Sequence, residues 1–300
     1  MPQEAYLKPE VVAQIAGLDL KARFIVEGFI AGLHKSPYQG FSVEFSEHRK
    51  YVRGDSPRAI DWRLFGRTDK LYIKKFEAET NLQCHLVVDT SASMDYQRSG
   101  TLSKLDYAIS LAASLAYLLI HQQDPVGLAI AGKSLEAYLP PRTKLGHLAA
   151  MLAVLAKTQI APSTDLAGAL RMAGSLIHRR GLIVVLSDLY QDGAADERVR
   201  DAFAELRHRG NDVIAFHILD KSEVAFDFDG PVAFTDRESG ESVTVDASGL
   251  RAGYLAEIER FRAEWADWCT RAGVDYVPLD TGTPFDRALL SFLHKRIERF

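Results

Sequence analysis

From about residue 84 onward, short apolar runs alternate with longer amphipathic ones. Six runs read as strands: 84–88, 126–131, 135–139, 182–186, 213–218 and 274–278. Between them, apolar residues three and four positions apart predict helices. Leu105, Ile109, Ala112, Leu115 and Leu119 make one such face, and Leu166, Ala169, Leu170 and Ala173 make another. In a third, Leu255, Ile258, Phe261, Trp265 and Trp268 share one side. Strand runs rich in Val and Ile on successive positions, interleaved with helices, imply a mostly parallel sheet covered on both faces. The runs 126–131 and 135–139 depart from that plan. Only Gly132-Lys133-Ser134 separates them, too short for a crossover, so they should form a hairpin. The predicted fold is α/β, a doubly wound six-stranded sheet with one antiparallel strand.

Two stretches break the alternation. Around 223–250, Val224, Phe226, Phe228, Val232, Phe234, Val243 and Val245 alternate with polar residues about Gly230-Pro231 and Ser239-Gly240, which predicts a β insertion ahead of the Trp-bearing helix. The first eighty residues follow another pattern, helical over 9–33 and short strands and turns over 38–80. A domain boundary is therefore expected near Asn81, giving an N-terminal α+β module over 1–80 and a larger domain over 81–300.

Charge sharpens this division. His34 to Lys75 holds ten Lys or Arg against five Asp or Glu, a local +5, which leaves −9 for the rest of a chain whose net charge is −4. The two cysteines, Cys84 and Cys269, have no Cys-x-x-Cys or Cys/His spacing, so neither a disulfide nor structural zinc is expected. The start, Met-Pro-Gln-Glu-Ala-Tyr, lacks a basic segment followed by a long apolar core. The longest apolar stretches, 111–120 and 145–156, fall well short of the ~20 residues of a membrane span. The expectation is a cytoplasmic protein.

The candidate chemistry lies where the first strand run ends, in His-Leu-Val-Val-Asp89-Thr-Ser91-Ala-Ser93. In a sheet of order 3-2-1-4-5-6, Asp89 ends the first strand and Asp188 ends the fourth, neighbours at the switch point where ligands bind. Thr164, in Pro-Ser-Thr-Asp-Leu, opens a helix on the same edge, with Asp165 beside it as a substitute or as a dipole-favoured acid. Two carboxylates and three hydroxyls from three loops suit Mg²⁺, which takes about six oxygens at ~2.0–2.1 Å. Mn²⁺ or Ca²⁺ would also accept such a set. The competing reading is that Asp89, Ser91 and Ser93 only cap a helix.

Asp89-Thr-Ser91-Ala-Ser93, Thr164 and Asp188 together resemble the metal-ion-dependent adhesion site of von Willebrand factor type A domains, over roughly residues 81–300. A second stretch is longer and more specific. Ser42-Val-Glu44-Phe45-Ser-Glu47-His48-Arg49-Lys-Tyr51, then Gly54-Asp55-Ser-Pro-Arg58-Ala-Ile-Asp61-Trp62, resembles the bacterial family called domain of unknown function 58. The resemblance implies a metal-mediated protein-binding module rather than an enzyme. It implies Mg²⁺ held by Asp89, Ser91, Ser93, Thr164 and Asp188, with an Asp or Glu of a protein partner in the open position. It also implies that this partner is a MoxR-type AAA+ ATPase or a client that such an ATPase remodels. Tyr190 stands where many adhesion-site loops carry a small residue.

Other patterns give less. Gly127 to Ser134 matches the P-loop letters, but the residues between its glycines are strand-like and Pro140-Pro141 follows too soon for a helix. Arg53-Gly54-Asp55 reads as a turn, with Asp55 capping and Arg58, Asp61 and Arg63 as mutual charge partners. The basic segment could bind phosphates or an acidic protein surface, but it is diluted by five acids and carries no nucleic-acid motif. Docking against the acidic remainder of its own chain is therefore expected, and nucleic-acid binding is not. No Gly-x-Ser-x-Gly elbow occurs, and Ser91 stands where a haloacid-dehalogenase-type phosphatase would have a second Asp. The rival function is a Mg²⁺-dependent hydrolase of a phosphorylated substrate at the same site, with Asp165 the nearest acid to serve as base. A third possibility is a structural module. His85 and His217, inside strand runs, read as satisfied core residues.

Overall fold

The computed structural model of this 300-residue chain describes residues 83–98, 102–161, 164–191, 193–235, 240–285 and 287–291, with 49–50, 66 and 72–73. The expected helix over 9–33, the Arg53-Gly54-Asp55 turn and nearly all of the basic segment lie outside the described residues. The chain divides into two compact units, Ala31–Asn81 and the remainder. Within the smaller unit, β1 (Arg49–Lys50) pairs antiparallel with β2 (Tyr72–Ile73).

The larger unit is built on β3 (Gln83–Asp89), β4 (Val126–Ala131), β5 (Leu135–Arg142), β6 (Gly181–Ser187), β7 (Asp212–Leu219) and β10 (Asp275–Asp280). Their spatial order is β10-β7-β6-β3-β4-β5, which is the 3-2-1-4-5-6 order expected of a doubly wound sheet. Every pairing is parallel except β4 with β5. That hairpin disposes of the P-loop letters, because a turn closed by Gly132 N donating to Ser134 O leads into a strand and not a helix. β5 runs on through Pro140-Pro141, which an edge strand tolerates. A register shift sits opposite, between Val126 and Leu128. A Cβ on Gly127 would lie 2.8 Å from Leu139 O, so only glycine fits there.

Among the described residues, the helices around this sheet include α1 (Lys104–His121), α2 (Leu145–Leu155), α3 (Leu166–Leu176), α4 (Ala194–His208), α5 (Lys221–Ala225) and α6 (Ala247–Ala272). Alternate strand residues point to opposite faces. Val87, Ile183, Val185, Val213 and Ala215 join Leu170, Phe203, Trp265 and Cys269 in one core, under α3, α4 and α6. Leu86, Val88, Val184, Leu186 and Ile214 are equally buried on the other face, where α1 lies against the strands. Sequence analysis had named neither α2 nor α4. No helix of the described residues is long and apolar enough to cross a membrane.

The insertion corrects one expectation. Its β character is confined to the hairpin β8 (Pro231–Thr235) and β9 (Ser242–Asp246). Val224 lies instead in α5, whose start is fixed by a capping box between Asp220 and Glu223. Phe226 closes that helix in the left-handed region, φ 44°. Phe226, Phe228 and Ala247 form a small separate core, with Val232, Phe234 and Tyr254 packed on it. The sequence alternation at 224–228 came from a short helix running into a loop with two buried rings.

Candidate functional site

The site is built at the carboxyl ends of β3, β4 and β6. Thr90 clamps the end of β3 to that of β4, because its backbone N and its hydroxyl both donate to Ala131 O at 2.9 Å. Ala161 N donates to Thr90 O at 2.8 Å and Asp165 N to Gly132 O at 3.0 Å. These bonds lay the loop that carries Thr164 along the same edge. Asp165 is the N-cap of α3, and its Oδ1 accepts from Gly168 N at 3.1 Å.

After β3 the chain turns into a 3-10 helix, Ala92–Asp95. Ser91 stands at its N-cap, yet its side chain makes no capping bond. The Ser91 hydroxyl faces that of Ser93 at 3.1 Å, and Ser93 stands close enough to the Asp188 carboxylate to favour its charged form. The helix-cap reading of these serines therefore fails for Ser91, whose oxygen is turned into the site. Asp89 Oδ1 accepts from Ser91 N at 3.0 Å, and its Oδ2 accepts from Ser187 Oγ at 2.5 Å. Beyond β6, Leu189 adopts φ 52° while fully buried, a backbone state that is uncommon away from glycine and marks a constrained turn. Its N donates to Ser187 Oγ at 2.9 Å, and Tyr190 N donates to Asp188 Oδ1 at 3.2 Å.

Asp89 and Asp188 are 0% and 1% exposed, so two carboxylates are buried side by side. Burial first, and then the charge of Asp188, push Asp89 up to about 7, against smaller opposing bonds from Ser187 and Ser91. Asp188 goes the other way. Burial is the largest influence and raises it. The charge of the Lys104 ammonium, 2.8 Å from its Oδ2, together with hydrogen bonding from Lys104, the nearby Ser93 hydroxyl and Tyr190 N, nevertheless holds the carboxyl below its ordinary value. Lys104 is 2% exposed, and its Nζ also reaches Glu223 Oε1 at 2.9 Å. Asp89, Ser91, Ser93, Asp188, Lys104 and Glu223 thus form one continuous polar chain across the strand ends.

Lys104 and Glu223 had escaped sequence analysis. One signal was available, since Ser103 and Asp106 form a capping box at the start of α1 and place Lys104 in the first turn of a mostly apolar helix. A cation is disfavoured there by the helix dipole, so its position implied an anionic partner.

Ser93, Lys104 and Asp188 open onto a cleft of about 780 Å³, walled by Tyr190, by Phe234 and Val243 of the hairpin, and by Tyr254 of α6. Tyr190 is 59% exposed and meets Phe261 edge-on at 6.4 Å between ring centroids. The insertion is tied to the serine loop. Tyr96 OH lies 3.3 Å from Ser222 Oγ, Arg98 N donates to Asp220 Oδ2 at 3.4 Å, and the Arg98 guanidinium stacks 3.7 Å from the Phe228 ring centre. Among the described residues, no three of His, Cys, Asp and Glu are grouped to hold a metal. A cation at this edge would rest on hydroxyls and paired carboxylates.

The strand order, the antiparallel third strand and the three converging loops define an α/β fold of von Willebrand A type. The family model described as "Protein of unknown function DUF58" matches residues 47–264, and the chain belongs to that family. Uncharacterized proteins Mb1516 of Mycobacterium bovis and Rv1480 of Mycobacterium tuberculosis are each 28% identical to it over 293 residues, covering 96% of this chain and 90% of theirs. Similar solved structures include the conserved hypothetical protein BatB from Bacteroides thetaiotaomicron, at 16% identity and TM-score 0.45, covering 73% of this chain and 100% of BatB. Another is the VWA domain of SpRpn10, at 11% identity and TM-score 0.39, covering 69% of this chain and 93% of that domain.

Proposed function

We propose that this protein is an interaction module whose hold on a protein partner depends on a divalent cation, Mg²⁺ first, bound by Asp89, Ser91, Ser93, Thr164 and Asp188. The observation that carries the reading is the 3.1 Å separation of the Ser91 and Ser93 hydroxyls. Adjacent ligands of an octahedral Mg²⁺ at ~2.0–2.1 Å stand about 2.9 Å apart, so the two oxygens need little adjustment to share one. Charge agrees. Asp89, Asp188 and Glu223 against Lys104 leave a formal −2 with all carboxyls ionised, a deficit that a divalent ion cancels. Each carboxylate oxygen has room for a second contact.

When bound, Mg²⁺ supplies an open coordination position for a carboxylate of the partner. The chain's own residues do the rest. Asp89 and Asp188 provide charge, the serines and Thr164 provide neutral oxygens, and Ser187 and the Ser91 amide fix how Asp89 is turned. The cleft sets the shape of what can approach. With Tyr190 and the hairpin as walls, it suits an extended segment bearing an Asp or Glu rather than a flat surface. The resemblance to soluble von Willebrand A proteins makes a MoxR-type AAA+ ATPase the partner of choice. A hydrolase using the same edge is less well served, because Asp165, the acid nearest in sequence, is engaged as the cap of α3.

Calorimetric titration of Mg²⁺ and Mn²⁺ into chelator-treated protein tests this. Saturable binding that is lost in Asp89→Ala, together with partner capture that needs the metal, is the expected result. Partner capture that is insensitive to chelator and to Asp89→Ala would overturn it.

A further inference from the structure

Lys104 occupies a position that helix electrostatics opposes, and both of its carboxylate contacts are prepared by other parts of the fold. Asp188 is held from behind by Tyr190 N. Glu223 is held by the capping box of α5, its Oε2 accepting from Asp220 N at 2.6 Å while its Oε1 meets Lys104. One buried ammonium is thus shared by a residue of the site and a residue of the insertion.

We propose, on the footing of the metal-binding reading above, that Lys104 is an internal counter-ion that shares Asp188 with the divalent cation and sets how tightly that cation is held. Three carboxylates at one buried edge repel one another, and a fixed ammonium lets the site stand assembled without metal. The same charge weakens attraction for any incoming cation, since a unit charge a few ångströms away acts strongly where water is excluded. Glu223 tunes the effect, because it shares the ammonium with Asp188 and adds negative charge of its own. The residue therefore trades cation affinity for stability of the empty state.

The test compares wild type, Lys104→Met, Lys104→Arg and Glu223→Gln, each stripped with chelator. Mg²⁺ affinity is read by calorimetry and the thermal midpoint is measured with and without Mg²⁺. Lys104→Met should bind Mg²⁺ about tenfold tighter or more, and its midpoint, depressed in chelator, should recover with Mg²⁺ by more than wild type gains. Glu223→Gln should bind more weakly, and Lys104→Arg should stay near wild type. Folded Lys104→Met with unchanged or weaker affinity would overturn the proposal, as would a Lys104→Arg shift as large as that of Lys104→Met. If Lys104→Met folds only in Mg²⁺, that dependence supports it; if it folds in neither condition, Glu223→Gln decides, and unchanged or tighter binding overturns the idea. Wild type that binds while Lys104→Met gains nothing sinks this inference alone. Wild type that fails to bind while Lys104→Met binds sinks the metal dependence of the native protein and keeps the counter-ion. Binding by neither sinks both.

Discussion

Val88 and Asp89 are neighbours on one strand and both are 0% exposed, yet they belong to regions governed by different physics. Below Val88 the sheet is mostly apolar, and its buried aliphatic and aromatic side chains add stability by leaving water, with His85 a buried exception. Above it, at the strand ends, Asp89, Asp188 and Lys104 are equally buried. Asp188 and Lys104 neutralise one another, while Asp89 is held by Ser187 and the Ser91 amide against the charge of Asp188. The lower region holds the fold together, whereas the upper one stores an electrostatic imbalance that a ligand can relieve. Burial alone does not tell a core from a site; the sum of charges within the buried set does.

That contrast can be attacked from both sides. The largest loss should come from the apolar region. Phe203→Ala empties a fully buried position packed edge-on against Trp265 and Trp268, and should cost about 3–5 kcal/mol. Urea unfolding should show the same loss with and without Mg²⁺. Asp188→Ala strands the buried ammonium of Lys104 with Glu223 alone, and about 3 kcal/mol should be lost in the same assay.

The pH profile comes next, and its signs differ between groups. Burial lowers His85 to about 4 and His217 to about 3, so below 6.5 the unfolded chain binds protons that the fold refuses. Their contribution to stability therefore falls as pH drops from 6.5 toward 4. Asp89 runs the other way. Its folded value of about 7 lies above the ordinary one, so its contribution falls as pH rises through the window from about 4 to 7. His85→Phe should make the acid-side loss shallower, as read from urea midpoints at a series of pH values; an unchanged acid limb would show that His85 does not stay neutral in the fold.

A smaller effect, opposite in direction, is expected of Asp89→Asn. At pH 8 without metal it removes a buried carboxylate ill at ease with Asp188, and stability should rise by about 1–2 kcal/mol, while metal binding is lost. A core residue would never give that pairing of outcomes. Smallest is Arg98→Ala, which removes the stacking contact with Phe228 and should cost about 0.5–1 kcal/mol, again read in urea.

The two regions also differed in how far the sequence revealed them. Apolar runs gave all six strands of the sheet, most plainly β3, β4, β6 and β7, where burial on both faces leaves little room for polar residues, and the doubly wound plan gave their order. Val199, Ala202, Phe203 and Leu206 already carried the spacing of α4, though charged neighbours obscured it. The insertion misled because Val224, Phe226 and Phe228 alternate on paper while a capped helix absorbs the first of them. His85 was expected to be satisfied; in the fold it is buried against Tyr138 with neither ring nitrogen hydrogen-bonded. At the site, the spacing of Asp89, Ser91 and Ser93 was legible because all three lie on one turn. Lys104 was legible only in part, since its place in the first turn of α1 called for an anion while its partners are 84 and 119 residues away, beyond the reach of any local pattern.

The most direct test of the proposed metal site is anomalous scattering from crystals grown with Mn²⁺. A single strong peak is expected at the strand ends, bounded by Asp89, Ser91, Ser93, Thr164 and Asp188, and absent from Asp89→Ala crystals. A map with no peak there at saturating Mn²⁺, or one that persists in Asp89→Ala, would contradict it.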